Sequence, residues 1–308
     1  MIFKNICTEM IRASNQERGR AMREAINYRF EFLGVTPAER RQLCAPFYVT
    51  EAKVELPIDW EYVHTCWIQN YREFQYAALD YLVYFKRRLS EDAFTQIFEM
   101  ITYRPWWDTN QILFKLLGYM NRRFPDQVEE IWQHVTARNE WEVAATLSYQ
   151  IGYRSDYNLA FFLEAVKAGM ALDTPVTRFA TAYALIDYAS YNPNWVEAFA
   201  KDHAEDFPAD FFTTIQKEVD RARAEANNVK EPSLNQNEEV RENGLEKGQA
   251  GANDESTTDD EVDARSSDKA GTNAQVGTTE AAPSTLPIYD PEDNDYYTTQ
   301  EQLYNITL

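Results

Sequence analysis

Residues 71–82 read YREFQYAALDYL, and the same plan returns as NEWEVAATLSYQ at 139–150 and VTRFATAYALID at 176–187. Each stretch runs from a polar start into alanines and then leucine. Small residues at that point let two helices approach closely. The offsets of 68 and 37 residues suit a helical repeat of somewhat under 40 residues.

The surrounding pattern is helical throughout. Apolar spacing predicts helices over 17–33, 37–47, 58–69, 71–88, 90–102, 107–122, 125–136, 140–151, 156–169, 174–190, 193–203 and 208–226, with prolines at breaks or first turns. No stretch alternates as a strand. Short links make successive helices antiparallel, which gives about six helix pairs. The fold class read from this is all-α, an α-solenoid of antiparallel helix pairs. An irregular helical bundle is the competing architecture.

The 308 residues, 44% of them hydrophobic and 14% aromatic, can bury a sizeable core. From residue 227 every tryptophan and phenylalanine disappears, and runs such as NQNEEVRENGLEKGQAGANDESTTDDEVD take over. A segment of that composition cannot bury enough surface to offset its ordering entropy, so 1–226 reads as the folded domain and 227–308 as a disordered acidic tail. The tail carries 5 Lys+Arg against 18 Asp+Glu, leaving 25 against 32 on the folded part of a chain whose total is −20. An acidic body counts against a duplex-binding protein, which is expected to show a basic face. Cys7, Cys44 and Cys66 lack CxxC spacing and dense histidine neighbours, so neither a disulfide framework nor a metal site is signalled. MIFKNICTEMIRAS has no apolar leader core, and no run reaches membrane-spanning length. The expectation is a cytoplasmic protein with no cofactor, metal or membrane partner.

PWWDTNQ at 105–111 poses the functional question. On a helical projection Ile112, Leu113, Leu116, Leu117 and Met120 form one stripe, while Trp107, Gln111, Phe114 and Gly118 fall opposite. Trp107 therefore packs against a second layer or is presented on a surface. Asp108 lies in the first turn, where the helix dipole favours an acid, and reads as a helix-start residue. Arg40-Arg41, Lys86-Arg87-Arg88 and Arg122-Arg123 each stand at or near a predicted helix end. The C-terminal dipole favours cations there; in a solenoid such ends also align along one edge, which can follow a phosphate backbone.

In these residues the chain resembles the DNA alkylation repair family, DNA glycosylases built from HEAT-like repeats. The resemblance rests on FEFLGVTPAERRQL at 30–43, YREFQYAALDYL at 71–82, RPWWDT at 104–109 and ALIDYASYNP at 184–193, in order from about residue 10 to 205. It implies removal of N3- and N7-alkylated purines, whose cationic bases leave readily, with tryptophans against the deoxyribose and one carboxylate supporting the oxocarbenium-like sugar. The family pattern is WWDxxD, in which the second tryptophan and second aspartate act as a pair. Here Trp107 retains the first, and Gln111 stands at the acid. The second lesion-side tryptophan falls on Tyr183, and two expected arginines fall on Ala144 and Ile186. A carboxylate about 4 Å from a developing cation is worth roughly 4 kcal/mol at an effective dielectric near 20. Its replacement by an amide is expected to slow excision on the order of a hundredfold to a thousandfold.

The resemblance therefore implies a DNA alkylation repair-like protein that binds duplex or damaged DNA on a concave face, with a lost or altered base-excision centre at Trp107, Gln111 and Tyr183. The alternatives are an active glycosylase for N3/N7-alkylated purines and a non-enzymatic protein-interaction scaffold. The tail reads as a solubilising extension or as an intramolecular partner of the basic edge.

Overall fold

The computed structural model describes residues 2–54, 56–206 and 211–229. The start of one helix shows how local chemistry sets its boundary. Thr36 accepts a hydrogen bond from the Glu39 N–H (3.2 Å), the Glu39 carboxylate accepts one from the Thr36 N–H (2.8 Å), and Pro37 occupies the first helical position. This reciprocal box satisfies donors that a helix start otherwise leaves orphaned. Thr174 with Thr177 and Pro175 repeats the device, and the side chains of Asn15, Asp59, Asn139, Asn158 and Asn192 cap other starts.

The helices are α1 (Ile2–Arg12), α2 (Gln16–Ala25), α3 (Pro37–Ala52), α4 (Trp60–Trp67), α5 (Arg72–Tyr84), α6 (Ala93–Thr102), α7 (Trp107–Arg123), α8 (Glu129–Trp132), α9 (Glu140–Ser148), α10 (Leu159–Leu172), α11 (Pro175–Tyr191), α12 (Pro193–Asp202) and α13 (Phe211–Val229). Short 3-10 turns lie at Lys86–Arg88, Pro125–Gln127 and Arg154–Asp156. No strand occurs among the described residues, only an isolated bridge between Glu31 and Tyr71.

Helices α3, α5, α7, α9 and α11 each pack on the next, while α4 packs on α5, α6 on α7, α10 on α9 and α12 on α11. One layer of the α-solenoid is thus a continuous row, and the intervening helices back it. Helices α5 and α7 run parallel: Arg72 at the start of α5 bonds Asp108 at the start of α7, and Arg123 at the end of α7 donates to the Arg87 carbonyl just past α5. At Gly118 the α7 backbone approaches the end of α9 so closely that a Cβ would stand 2.2 Å from the Tyr149 carbonyl oxygen. The described residues up to Glu225 belong to one compact unit.

The structure differs from the sequence reading at the N-terminal side. Helix α1 lies outside the helices that apolar spacing predicts, and the helix expected over 17–33 ends at Ala25. Asn27 and Tyr28 take left-handed φ values of 52° and 60°, which break the helix, and the following segment crosses the core as an extended strap. Phe30, Phe32, Leu33 and Val35 bury there, and the Glu73 carboxylate accepts the N–H groups of Leu33 (3.0 Å), Gly34 (2.8 Å) and Val35 (3.2 Å). Backbone donors satisfied by one buried acid replace the helical ladder. The tail expected from residue 227 lies outside the described residues except for 227–229, which continue α13.

Candidate functional site

Arg72, fully buried, organises the start of α7. Its Nε donates to Asp108 Oδ2 at 3.0 Å and its terminal nitrogens reach Asp108 Oδ1, Thr109 and the Arg104 carbonyl. The Tyr76 hydroxyl donates to the same carboxylate at 2.6 Å. Burial, the largest influence on Arg72, works against its charge, but the charge and hydrogen bonds of Asp108 outweigh it with the help of Tyr76 and leave the guanidinium held above its ordinary range. Asp108 is therefore more than a helix-start acid. Its oxygens are committed to a bidentate ion pair with a neighbouring repeat.

Trp107, next to it, is 7% exposed. Its ring lies 4.9 Å from Trp141 and 4.5 Å from Phe179, so α9 and α11 supply an aromatic neighbour each. Phe179 in turn stacks on Tyr183 at 6.1 Å and 13°, and Trp106 meets Trp141 at 6.3 Å. Gln111, one turn beyond Trp107, is also buried, and its Oε1 has no hydrogen-bond partner. The structure links Trp107 to Tyr183 through Phe179, with Gln111 one turn along α7 from Trp107. Ala144 is fully buried and Ile186 half-buried, so neither position offers a cation.

Phe179 and Arg72 are the residues that sequence reading missed. Phe179 stands one turn before Tyr183 on the same helix face, which was the available signal. Nearby, Asp187 is half-buried, accepts the Gly152 N–H at 2.9 Å, and is pushed above its ordinary 3.8 by burial against the opposing influence of that N–H, Arg154 and Lys115.

The predicted edge cations divide. Arg40 is 1% exposed, donates to Asp80 (Nε to Oδ2, 2.7 Å) and lies over the Tyr76 ring; burial of the pair corrects the expectation that it faces phosphate. Arg41, Lys86 and Arg88 are half-buried, while Arg87, Arg122 and Arg123 are exposed. Arg88 donates to the Val54 carbonyl at 2.9 Å, Arg123 to the Arg87 carbonyl at 2.5 Å, and Arg122 lies 4.1 Å over Tyr153 and 4.0 Å from Asp156. Arg104, at the other ends of these helices, donates to the carbonyls of Gln69 and Asn70. Arg88, Arg104 and Arg123 thus donate to carbonyls of the adjacent helix pair, whereas Arg40 and Arg41 stand near the start of α3, where the C-terminal dipole does not act. No cluster of metal-ligating side chains occurs among the described residues, and no described helix is long and apolar enough to cross a membrane.

A family model described as DNA alkylation repair enzyme matches residues 6–211. The chain belongs to that family. A predicted DNA alkylation repair enzyme from Enterococcus faecalis has a similar solved structure, with a TM-score of 0.60 at 20% identity, covering 67% of this chain and 94% of that one. That likeness is one of fold. No curated protein matches the chain in sequence.

Proposed function

We propose that this family member binds duplex DNA along its row of HEAT-like inner helices and does not excise alkylated bases. The observation that carries this reading is the occupied surroundings of Trp107. Trp141 and Phe179 crowd its ring, the family's acid position is a buried Gln111, and the adjacent carboxylate of Asp108 is tied to Arg72. An emerging sugar cation would find neither an open indole face nor a free carboxylate. An amide offers a dipole where a charge is needed, and the missing charge is worth roughly 4 kcal/mol at an effective dielectric near 20. Binding rests on the exposed cations Arg87, Arg122 and Arg123 at one edge, which leave their charge accessible although their donors partly serve carbonyls. That edge lies about 24 Å along α7 from Trp107 at ~1.5 Å per residue.

The test has two arms. With DNA containing N7-methylguanine, no free base above background is expected; release that disappears in Trp107→Ala overturns the loss of excision. In the second arm, an undamaged duplex is expected to bind at low ionic strength, with an affinity that falls linearly in log salt and drops in Arg87→Ala/Arg123→Ala. No binding even at low salt overturns the DNA-binding half.

A further inference from the structure

The opposite ends of the inner helices carry a surface of different chemistry. Three loops meet there, 26–31, 68–71 and 103–106. Glu31 bridges Tyr71, its carbonyl accepts the Arg72 N–H at 2.9 Å, and Arg104 binds the carbonyls of Gln69 and Asn70 while lying 5.3 Å from the Phe30 ring. On these loops Tyr28 is 59% exposed, Tyr71 40% and Tyr103 46%, beside Ile68 at 59%. Rings that could have packed inward as Phe30 does are turned to solvent, and a tyrosine at φ 60° is an unusual backbone that the loop has to hold against its own preference.

Three arginines are interleaved with the rings. Arg29 lies 3.6 Å over Trp106, Arg23 5.4 Å over Tyr28, and Arg104 stands next to Tyr103. Arg23 pairs with Glu31 at 3.1 Å, whereas Arg104 donates to the carbonyls of Gln69 and Asn70 and Arg29 lies on the Trp106 ring, neither with an ion pair among the described residues. Helices α5 and α7 also begin here with Tyr71 and Trp106 at their N-caps and no side-chain cap, unlike the other inner helices α3, α9 and α11. At α5 the Arg72 N–H is already taken by the Glu31 carbonyl, so only the start of α7 can offer first-turn donors to an outside anion.

We infer that this face, built on Tyr28, Arg29, Tyr71, Tyr103, Arg104 and Trp106, binds single-stranded DNA. Exposed tyrosines offer planes on which unpaired bases stack irrespective of sequence, and the arginines between them meet the phosphates. Double-stranded DNA fits poorly, because its bases are already stacked on one another. The assignment to DNA, as against another polyanion with unpaired bases, rests on the DNA-binding reading above. The stacking surface itself does not.

Fluorescence anisotropy of the full chain with labelled oligothymidylate at low salt tests it. Wild type is expected to bind, Tyr103→Phe to bind as wild type, and Tyr28→Ala and Tyr103→Ala each to bind about fivefold to a hundredfold more weakly. Duplex affinity is expected to stay unchanged in the tyrosine variants, and single-strand affinity in Arg87→Ala/Arg123→Ala. The proposal is overturned by no single-strand binding, by binding that survives Tyr28→Ala/Tyr103→Ala with unaltered circular dichroism, or by equal or tighter binding of oligouridylate. Loss of duplex binding alone sinks the edge reading and leaves this one standing.

Discussion

Asp108 and Gln111 are two polar positions one turn apart with opposite roles. Removing the Asp108 carboxylate leaves Arg72 charged, buried and without its ionic partner. Asp108→Ala is expected to cost about 3–5 kcal/mol in denaturant unfolding; a loss under 1 kcal/mol would mean that Tyr76, Gln75 and Thr109 suffice. Gln111 points the other way, since its buried Oε1 has no partner. Gln111→Met removes an unsatisfied acceptor at similar volume and is expected to stabilise the fold by about 1 kcal/mol. Equal or lower stability would place an ordered water on that oxygen. The shared face of Trp107 and Gln111 was legible from helical spacing. The Phe179 and Trp141 rings beside Trp107 were not, because they come from 72 and 34 residues away. The same limit applies to Arg40, whose partner Asp80 is 40 residues distant, so its position near a helix end read as a surface cation.

At the scale of elements, the row of inner helices is set by how closely their backbones approach. Gly118→Ala would gain helix propensity in isolation, yet here the added methyl meets the Tyr149 carbonyl, which is backbone and cannot swing aside. A net loss of about 1–3 kcal/mol is expected from thermal or denaturant unfolding, and a gain would show that α9 slides readily on α7. Helix α11 carries a pH dependence through Asp187. Its folded value is raised above the ordinary 3.8, so the folded state keeps a proton that the unfolded chain has released. Its stabilising contribution is complete below the ordinary value and is lost as pH rises through the raised one. Asp187→Asn is expected to flatten that part of the stability profile; an unchanged slope would assign it to another group. Most helix bounds were legible because capping residues and prolines mark them. The overrun of α2 has a tertiary cause: INYRFEFLGV reads as a continuation of the helix, but Phe30, Phe32, Leu33 and Val35 bury in a strap whose acceptor, Glu73, lies in another helix.

Across the whole molecule, charge separates the readings. The residues from 227 onward hold 18 acids against 5 bases and lie outside the described structure apart from 227–229. Their removal takes most of the negative charge that repels a polyanion. Truncation after Val229 is expected to strengthen duplex binding at low salt, with the gain vanishing as salt is raised; equal affinity for both chains would detach the tail from DNA altogether. The family and the solenoid were legible because four short motifs keep their order over most of the described chain. The closure around Trp107 was not, since it exists only after the rows have stacked. The strap at 33–35 has a last consequence, in time. Three consecutive amides are guarded by a single carboxylate, so deuterium should enter Leu33, Gly34 and Val35 together, at one shared rate set by how often Glu73 lets go.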